Sequence, residues 1–434
     1  MSKSQQFTRR SFLASTTGAF AAPYILSSTA LGRRPAIERI NIGLIGAGKR
    51  GGTLLRKTLR FPQAQVVAVA ECESRRREHR ARMVEAYYSE QKKGDYKGCA
   101  RYNDFRDLLE RKDLDAVIIA TPDHWHAIPV VEAAKRRLDV YCEKPLSLTI
   151  HEAKVMADTA KKYKIVFQTG SQQRTEFRGK FRRACELVRN GRIGKVKEVY
   201  CNVGAPSVPC TLPEQEVPEG TDWKLWLGPA PARGYHVDLC PYGVHNHFPA
   251  FRNYIDYSGG AMTDWGAHHF DIAQWGLGRD ESGPVEVIPP NGNQKHLIFK
   301  YDDGVLLHHA GKCDGEAVNG TRFIGTDGVV EVNRSHFKTW PESIAQEEIG
   351  DNETRLYRAD NHIQNWLECI RSRYDPVCTA EIGARSVTVC HLANLGYWNK
   401  RPLKWDPKKW EFPGDAEANS WRDRPKRDPW ELIA

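Results

Sequence analysis

The stretch Arg39-Ile-Asn-Ile-Gly-Leu-Ile-Gly-Ala-Gly-Lys-Arg-Gly-Gly52 decides the fold. Its first half is an apolar run long enough for a buried strand, and Gly46, Gly48 and Gly51 then follow at the spacing G-x-G-x-x-G. In a dinucleotide site the first glycine makes the tight turn, the second lets the backbone approach a pyrophosphate, and the third lets helix and strand pack closely. The alternative is a glycine-rich surface turn that has this spacing by chance.

The sequence on both sides of the turn favours the dinucleotide site. Residues 53–60 have helical character, so the turn would open a helix whose free N–H groups and partial positive charge suit phosphates. A second apolar run over 65–70 ends in Glu71, about 20 residues past the last glycine, where a ribose-binding carboxylate is expected. We therefore predict a dinucleotide site that uses Gly46, Gly48, Lys49, Arg50, Gly51 and Glu71.

The length of the chain, 434 residues, predicts two domains. Apolar runs alternate with helical patterns up to residue 168, which predicts an α/β Rossmann domain with a doubly wound parallel sheet over 37–168. Later strand candidates are joined by Asp-Gly turns at 302–304 and 326–328. They predict a C-terminal α+β domain with a largely antiparallel open sheet over 169–400, followed by a tail over 401–434.

The first 30 residues have the pattern of an export signal. Thr8-Arg9-Arg10-Ser11-Phe12-Leu13 is a twin-arginine motif, a mildly apolar segment runs over 12–26, and small residues follow at 28–30. That segment is shorter than the roughly 20 apolar residues of a membrane span, so no span is predicted in the mature protein. We predict a signal peptide over 1–30 and export of the folded protein to the periplasm. A retained membrane anchor and a basic tail are the alternatives.

Charge and cysteine content indicate which partners to expect. The net charge of +10 is scattered, and no nucleic-acid-binding module accompanies it, so no nucleic-acid partner is predicted. The densest basic cluster, at 75–82, is interpreted as a solvated helix face, with the alternative that Arg75 or Arg76 holds the 2′-phosphate of NADP. The eleven cysteines form no C-x-x-C pair and are interpreted as small buried hydrophobic residues.

The first candidate for chemistry is Glu143-Lys144-Pro145, which directly follows a predicted strand at 138–142. This is the sheet edge where a nicotinamide would lie. Oxidation of a sugar hydroxyl requires a group that handles the alcohol proton, because the hydroxyl alone is a very weak acid, and a lysine here suits that task. The alternative is an ordinary strand-to-loop turn.

The second candidate is a polar face at 264–271. On a helix Asp264, His268 and Asp271 recur at i, i+4 and i+7, which places them on one face. One carboxylate and one imidazole together can orient a polyol and relay a proton. A metal site and a helix-capping cluster are the alternatives, although no tight metal-binding motif is present and no metal is predicted.

These motifs together resemble the Gfo/Idh/MocA oxidoreductase family. Gly46-x-Gly-x-x-Gly51, Thr121-Pro122 with His126, Glu143-Lys144-Pro145 and the Asp264…His268…Asp271 segment occur in that family's order over residues 37–400. The resemblance implies a Rossmann domain and a C-terminal α/β domain whose open sheet often mediates oligomerisation, so a homo-oligomer is expected. It also implies NAD(P)-dependent redox chemistry on a small-molecule sugar or cyclitol.

The resemblance also implies roles for individual residues. Lys144 corresponds to the catalytic lysine, His268 to the acid/base and Asp264 to a substrate-orienting or proton-relay partner. Glu143 would touch the nicotinamide ribose, and Thr121 and His126 are assigned to cofactor binding. Many members have Asp where this chain has Glu71, which still favours NAD over NADP but leaves both cofactors open. A tightly bound cofactor would suit an exported enzyme, since free NAD is scarce outside the cytoplasm.

Three functions follow. The first is an oxidoreductase that transfers a hydride between NAD(P) and a secondary hydroxyl of a sugar, sugar derivative or cyclitol. The alternative is an NAD-dependent glycosidase that uses transient oxidation and elimination, and the third is a non-catalytic sugar- or nucleotide-binding protein. The loop over 205–257 is long and rich in aromatic residues, so the substrate pocket cannot be inferred from a characterised member of the family. Its aromatic residues either stack on sugar rings or pack in the core: Trp223, Trp226, Tyr235 and Tyr242.

Overall fold

The first sheet is parallel and places the glycine turn at its centre. The computed structural model describes residues 39–92 and 94–434. The strands of this sheet are β1 Ile40–Ile45, β2 Ala64–Ala70, β3 Ala100–Tyr102, β4 Ala116–Ile119, β5 Asp139–Cys142 and β6 Phe167–Thr169. Their order is β3-β2-β1-β4-β5-β6, so the order reverses between β1 and β4, where ligands bind beyond the carboxyl ends of strands.

Both faces of this sheet are buried. The connecting helices are α1 Lys49–Leu59, α2 Ser74–Lys92, α3 Phe105–Leu109, α4 Ala127–Lys135 and α5 Ile150–Tyr163. Alternate residues of β4 belong to different hydrophobic clusters: Ile118 packs with residues of α1 and α2, and Ile119 with residues of α3, α4 and α5. Continuous apolar strands of this kind are those that parallel sheets bury between helices.

The second sheet has eight strands and is mostly antiparallel. Its strands are β7 Val196–Cys201, β8 Glu286–Ile288, β9 Ile298–Lys300, β10 Leu306–His309, β13 Thr321–Gly325, β14 Val329–Val332, β15 Phe337–Trp340 and β16 Leu403–Lys404, and β11 Lys312–Cys313 and β12 Glu316–Ala317 form a separate hairpin. The order is β15-β14-β13-β7-β10-β9-β8-β16, and only β7 and β10 run parallel among these described strands. The predicted fold class is therefore confirmed.

The remaining helices follow the first sheet in the chain. They are α6 Lys180–Arg189, α7 Trp223–Leu227, α8 Ala261–Asp264, α9 Gly266–Leu277, α10 His362–Ser372, α11 Ala380–Asn399 and α12 Ala416–Ser420. Helix α11 packs against both α5 and α9. Helix α10 buries Trp366 in the cluster that covers β1, so a late segment of the chain completes the core of the first sheet.

Export, the domain boundaries and oligomerisation concern parts of the sequence predictions other than the fold class. The twin-arginine segment falls outside the described residues, and export, the domain boundaries and a homo-oligomer stay predictions. Across residues 39–92 and 94–434, no helix has the length and apolarity to cross a membrane. All eleven cysteines have free thiols, and most are buried.

Two buried histidines tie the late helices to the first sheet. Nε2 of His362 lies 2.8 Å from the carbonyl oxygen of Thr169, and Nε2 of His391 lies 3.1 Å from that of Ser147. Burial lowers the pKa of His362 to about 4 and that of His391 to about 3. Both imidazoles are therefore neutral in the folded protein at neutral pH.

Acid is expected to destabilise the fold through these imidazoles. The unfolded chain takes up a proton near the ordinary histidine pKa of about 6.5, whereas folded His362 does so only near about 4. Stability should therefore fall as the pH drops from about 6.5 towards about 4. Urea unfolding at several pH values should show this slope, and His362→Gln should reduce it because an amide does not titrate. The same change at exposed His151 should leave the slope unaltered, and an equal slope in His362→Gln would refute the assignment.

Candidate functional site

A cavity of about 310 Å³ opens at the carboxyl ends of the parallel strands. Its lining residues come from the glycine turn, the ends of β2, β4 and β5, the 205–257 loop, the junction of α8 and α9, and the loop after β14. The predicted site residues among its lining are Gly46, Gly48, Lys49, Arg50, Glu71, Thr121, Glu143, Lys144, Asp264 and His268. The cofactor and catalytic predictions therefore converge on one cleft, while Gly51 and His126 lie behind its wall.

The glycines of the turn meet different constraints. Gly46 has φ +88°, and a Cβ there would lie 2.7 Å from the carbonyl carbon of Ala120. A Cβ on Gly51 would lie 2.0 Å from the carbonyl oxygen of Gly46. A Cβ on Gly48 would meet nothing within 4 Å. The protein's own packing therefore requires Gly46 and Gly51, whereas Gly48 keeps space open on the cavity side, as a bound pyrophosphate needs.

A buried arginine orients the backbone of this turn. Nε of Arg80 donates to the carbonyl of Ala47 at 3.1 Å and its Nη2 to that of Gly48 at 3.4 Å. Because a trans peptide directs its N–H opposite to its C=O, the amides of Gly48 and Lys49 point away from Arg80. Helix α1 begins at Lys49 without a side-chain cap, so its first N–H groups are available to an anion.

Glu71 lies at the end of β2, where the ribose carboxylate was predicted. Its Oε2 accepts from the amide of Ala47 at 2.8 Å, and its Oε1 accepts from Nη2 of Arg76 at 3.2 Å. Although burial opposes ionisation, Arg76 and the backbone amides of Ala47 and Glu73 hold the pKa of Glu71 below its usual range. Arg76 also donates to the carbonyl of Pro241 at 2.6 Å.

The basic cluster of α2 is not wholly solvated. Arg76 and Arg80 are each 5% exposed, so the interpretation of 75–82 as a solvated helix face is wrong for these residues. The spacing of charged residues gave no sign of this, because the acceptors are a carboxylate and carbonyls that are distant in the sequence.

Glu143 is fixed by three partners at the end of β5. Its Oε1 accepts from Nε of Arg50 at 2.8 Å and from Nε2 of Gln172 at 2.9 Å, and Tyr141 Oη lies 3.4 Å away. Glu143 is 3% exposed. The contact with Arg50 joins the start of α1 to the strand end that carries Lys144.

Lys144 reaches across the cavity to the second half of the chain. Its Nζ lies 2.5 Å from Oδ1 of Asp264 and donates to the Asp264 carbonyl at 2.8 Å. Burial opposes ionisation of Asp264, but Lys144 holds its pKa below the usual range. His268 lines the same space and is 5% exposed. Burial and the nearby charges of Lys144 and Arg334 hold the pKa of His268 well below its usual range, so the ring is neutral.

The predicted continuous helix over 264–271 is broken. Helix α8 ends at Asp264 and α9 begins at Gly266, and the amide of His268 bonds to the carbonyl of Trp265. The carbonyl of Asp264 is thereby released from the helical ladder and accepts from Lys144. Asp271 does not share the cavity: Arg174 donates to both of its carboxylate oxygens, and Ser386 donates at 2.7 Å.

Thr121 and His126 differ in their access to the cavity. Thr121 lines it, and its buried Oγ1 has no hydrogen-bond partner within the described part of the chain. The ring nitrogens of His126 lie 2.8 Å from the carbonyl of Pro145 and 3.0 Å from that of Thr121. His126 therefore braces the two cavity-lining turns from behind, and its predicted cofactor contact stays a prediction.

Sequence reasoning missed further residues of the cavity wall. Asp123, Arg252, Trp265 and Arg334 all line it. Burial raises the pKa of Asp123, whose Oδ2 accepts from Ser258 at 2.6 Å. The position of Asp123 directly after Thr121-Pro122 was an available signal. The other three come from a 3-10 helix at Ala250–Asn253, from the junction of α8 and α9, and from the loop after β14.

The aromatic residues of the 205–257 loop divide into two groups. Trp223, Trp226 and Tyr235 are buried in one hydrophobic cluster, although Trp226 also borders the cavity. Tyr242 is 44% exposed, and the guanidinium carbon of Arg75 lies 3.9 Å from its ring centroid. Packing is thus the main role of the first three.

Family models match both halves of the chain. Residues 40–171 match the oxidoreductase family's NAD-binding Rossmann fold, and residues 207–432 match its C-terminal alpha/beta domain. The chain belongs to the Gfo/Idh/MocA oxidoreductase family. The predicted family and the predicted NAD-binding Rossmann fold are therefore confirmed. In this family member, the described residues contain no group of three or more His, Cys, Asp or Glu side chains that could hold a metal ion.

Individual relatives extend this comparison. This Gfo/Idh/MocA protein is 24% identical over 387 residues to myo-inositol 2-dehydrogenase of Thermotoga maritima, covering 84% of this chain and 98% of the relative. It is 29% identical over 216 residues to a glycosyl hydrolase family 109 protein of Saccharopolyspora erythraea, covering 45% of each. The match covers only 59% of the length of the rhizopine catabolism protein MocA of Rhizobium meliloti and 42% of that of the oxidoreductase YrbE of Bacillus subtilis.

A solved structure supports the fold. The WlbA dehydrogenase from Bordetella pertussis, in complex with NADH and UDP-GlcNAcA, superposes with a TM-score of 0.57 at 15% identity, covering 85% of this chain and 99% of that one.

The glycine turn offers a direct test of the cofactor site. Gly48→Ala should fold with an unchanged melting temperature, because its Cβ meets no protein atom within 4 Å, yet should lose dinucleotide affinity. Gly51→Ala should lower both the melting temperature and the dinucleotide affinity, because its Cβ overlaps the Gly46 carbonyl. Thermal unfolding and fluorescence titration with NADH measure the two effects. Wild-type affinity for NADH in Gly48→Ala would place the cofactor elsewhere.

Proposed function

We propose that the protein is an NAD-dependent oxidoreductase that transfers a hydride between the cofactor and a secondary hydroxyl of a sugar or cyclitol. One observation carries this proposal: Lys144 contacts Asp264 at 2.5 Å beside the neutral ring of His268, in the cavity that the glycine turn also lines. The similarity to a myo-inositol 2-dehydrogenase over most of both chains supports this substrate class.

The residues at the strand ends fit a dinucleotide. Gly48 leaves space at the start of α1, Glu71 offers a carboxylate to ribose hydroxyls, and the unpaired Oγ1 of Thr121 is available to the nicotinamide end. Glu143 and Arg50 border the same region. Bound NAD⁺ supplies the acceptor for the hydride that leaves the carbinol carbon.

The side chains of this protein handle the proton. When the alcohol becomes a ketone it loses a hydride and a proton, and the neutral imidazole of His268 is able to accept the proton. Lys144, fixed by the carboxylate and carbonyl of Asp264, donates a hydrogen bond to the reacting oxygen and stabilises its developing negative charge. In the reverse direction the imidazolium returns the proton.

The ribose end favours NAD over NADP. Glu71 is ionised, and Arg76 already donates to Glu71 and to Pro241. The 2′-phosphate of NADP would lie close to the negatively charged carboxylate of Glu71, and Arg76 would not be free to bind it because its N–H groups already donate to Glu71 and Pro241. Repulsion by Glu71 therefore discriminates against NADP.

Removal of the lysine tests catalysis. Lys144→Ala should lower kcat by about 10²- to 10⁴-fold while NADH still binds, because the group that contacts the reacting oxygen is lost. The turnover of a sugar and cyclitol panel is followed by reduced-cofactor absorbance. Lys154→Ala is the matched control, since Lys154 also pairs with an aspartate, Asp158, at 2.5 Å but on the exposed surface of α5. Undiminished turnover in Lys144→Ala would refute the assigned role.

The cofactor preference has its own test. Mass spectrometry of gently denatured protein should release NAD, and wild-type protein should bind NADH more tightly than NADPH. Glu71→Gln should narrow that difference by about tenfold, because it removes the charge that repels a 2′-phosphate. Glu85→Gln, which alters a carboxylate paired with Arg101 away from the cavity, is the control. Preference for NADPH in the wild type would overturn this argument.

A second function is favoured by the similarity to a glycosyl hydrolase family 109 protein. The same site would then oxidise a sugar hydroxyl to a ketone and eliminate the aglycone to leave an enone. Addition of water to the enone and return of the hydride to the ketone would complete the hydrolysis without net redox change. Glycoside cleavage without net accumulation of NADH supports this function, whereas stoichiometric NADH formation supports the first.

A further inference from the structure

The cationic side chains of the cavity fall into two groups. Arg50, Arg76 and Lys144 each form an ion pair with a carboxylate of the wall, namely Glu143, Glu71 and Asp264. Lys49, Arg252 and Arg334 do not: among the described residues, no carboxylate oxygen lies within 4.0 Å of the charged nitrogens of these three side chains. Lys49, at the start of α1, lies over the Phe248 ring. Arg252 and Arg334 are thus the guanidinium groups of the described cavity wall without a direct ion pair, and carboxylates such as Asp264 act on them only at longer range.

Both arginines lie near Asp264, at the catalytic end of the cavity. The ion pair with Lys144 contributes most to the lowered pKa of Asp264, but Arg252 and Arg334 also contribute, and Arg334 acts on His268 as well. The phosphate end is served by different groups, the N-terminus of α1 and Lys49. Arg334 lies over Trp265 beside Asp264. Arg252 lies against Phe248, whose ring also contacts Lys49, so Arg252 is near both Asp264 and the start of α1.

Each guanidinium is held by aromatic rings and one oxygen. Nε of Arg334 donates to Gln173 Oε1 at 3.1 Å, and its guanidinium carbon lies 4.8 Å from the centroid of the Trp265 ring. Nη1 of Arg252 donates to the carbonyl of Pro249 at 3.3 Å, and its guanidinium carbon lies 4.4 Å from the Phe251 ring centroid. Stacking fixes the guanidinium planes. In the part of the chain described, both Nη atoms of Arg334 lack an acceptor.

Trp265 supplies a surface for a sugar ring beside these charges. It lies between Asp264 and His268 in sequence, lines the cavity and is 41% exposed. It lies at the junction of α8 and α9. Because the Arg334 guanidinium lies over this ring at 4.8 Å from its centroid, a pyranose would pack against the exposed part of the indole, with a ring substituent beside Arg334.

We propose that the substrate is a pyranose that carries an anionic substituent, a carboxylate or a sulfate ester, which Arg334 and Arg252 bind while the ring lies on Trp265. This proposal rests on the proposed redox function and narrows its substrate class. A charged acceptor satisfies N–H donors that a neutral sugar leaves unpaired, and guanidinium groups match carboxylate and sulfate oxygens in geometry.

The test compares each neutral sugar with its acid. Calorimetric titration of the NADH-loaded enzyme uses the pairs glucose and glucuronate, galactose and galacturonate, and mannose and mannuronate, with glucose 6-sulfate as the sulfate arm. We expect at least one acid or sulfate to bind about tenfold or more tightly than its neutral partner. Arg334→Gln and Arg252→Gln should each reduce that preference, whereas Arg358→Gln, at an exposed surface pair, should retain it. Higher salt should also reduce it.

The opposing outcomes are distinct. The proposal is overturned if no acid or sulfate is preferred, including a panel in which nothing binds, or if the preference survives both substitutions. It is also overturned if Arg334→Gln and Arg252→Gln weaken NADH binding as strongly as Gly48→Ala does, since they then serve the cofactor. Equal oxidation of neutral and anionic sugars would refute the anionic subsite and leave the redox function standing.

Discussion

The contact between Lys144 and Asp264 is the constraint on which the candidate site depends. It joins the end of β5 to the end of α8, residues 120 positions apart in the chain. The contact is possible because the helix breaks at Trp265: the amide of His268 bonds to Trp265, which frees the Asp264 carbonyl for Lys144. A cation at the carboxyl end of a helix is also electrostatically favourable. Trp265, which is 41% exposed, lies at this junction, and His268 lies in the first turn of α9.

The charges around this contact show how the cavity is prepared. Glu143 holds Arg50 and Glu71 holds Arg76, so neither carboxylate is buried without a partner, a state that would be strongly unfavourable. Arg80 is the exception on the other side of the turn. It is buried and hydrogen-bonded to the Ala47 and Gly48 carbonyls, with no carboxylate of the described residues within 4.0 Å. Its positive charge adds to that of the α1 N-terminus, which favours an anion in the cavity.

The sequence allows the local parts of this arrangement to be predicted. The glycine spacing, the carboxylate at the end of β2 and the lysine after β5 each follow from a short pattern next to a strand, and all lie where the patterns predict. The burial and the hydrogen bonds of Arg76 and Arg80 could not be predicted from the sequence, because their acceptors are backbone carbonyls and a carboxylate that only folding brings together. The periodicity at 264–271 predicted one helix, since nothing local reveals that Lys144 competes for the Asp264 carbonyl. Burial of Trp366 against β1 likewise depends on a packing partner more than 300 residues away.

The segment after Leu239 gives the ribose end of the cavity a further property. Arg76 donates both to Glu71 and to the carbonyl of Pro241, so one guanidinium links the carboxylate to the loop that lines the cavity beside it. Arg75 lies against Tyr242 of the same loop at 3.9 Å. Withdrawal of this loop would remove an acceptor from a buried charged group, and each such lost bond costs about 1–3 kcal/mol. The loop should therefore slow the exchange of a dinucleotide bound in this cavity, which would suit the predicted export of the folded protein.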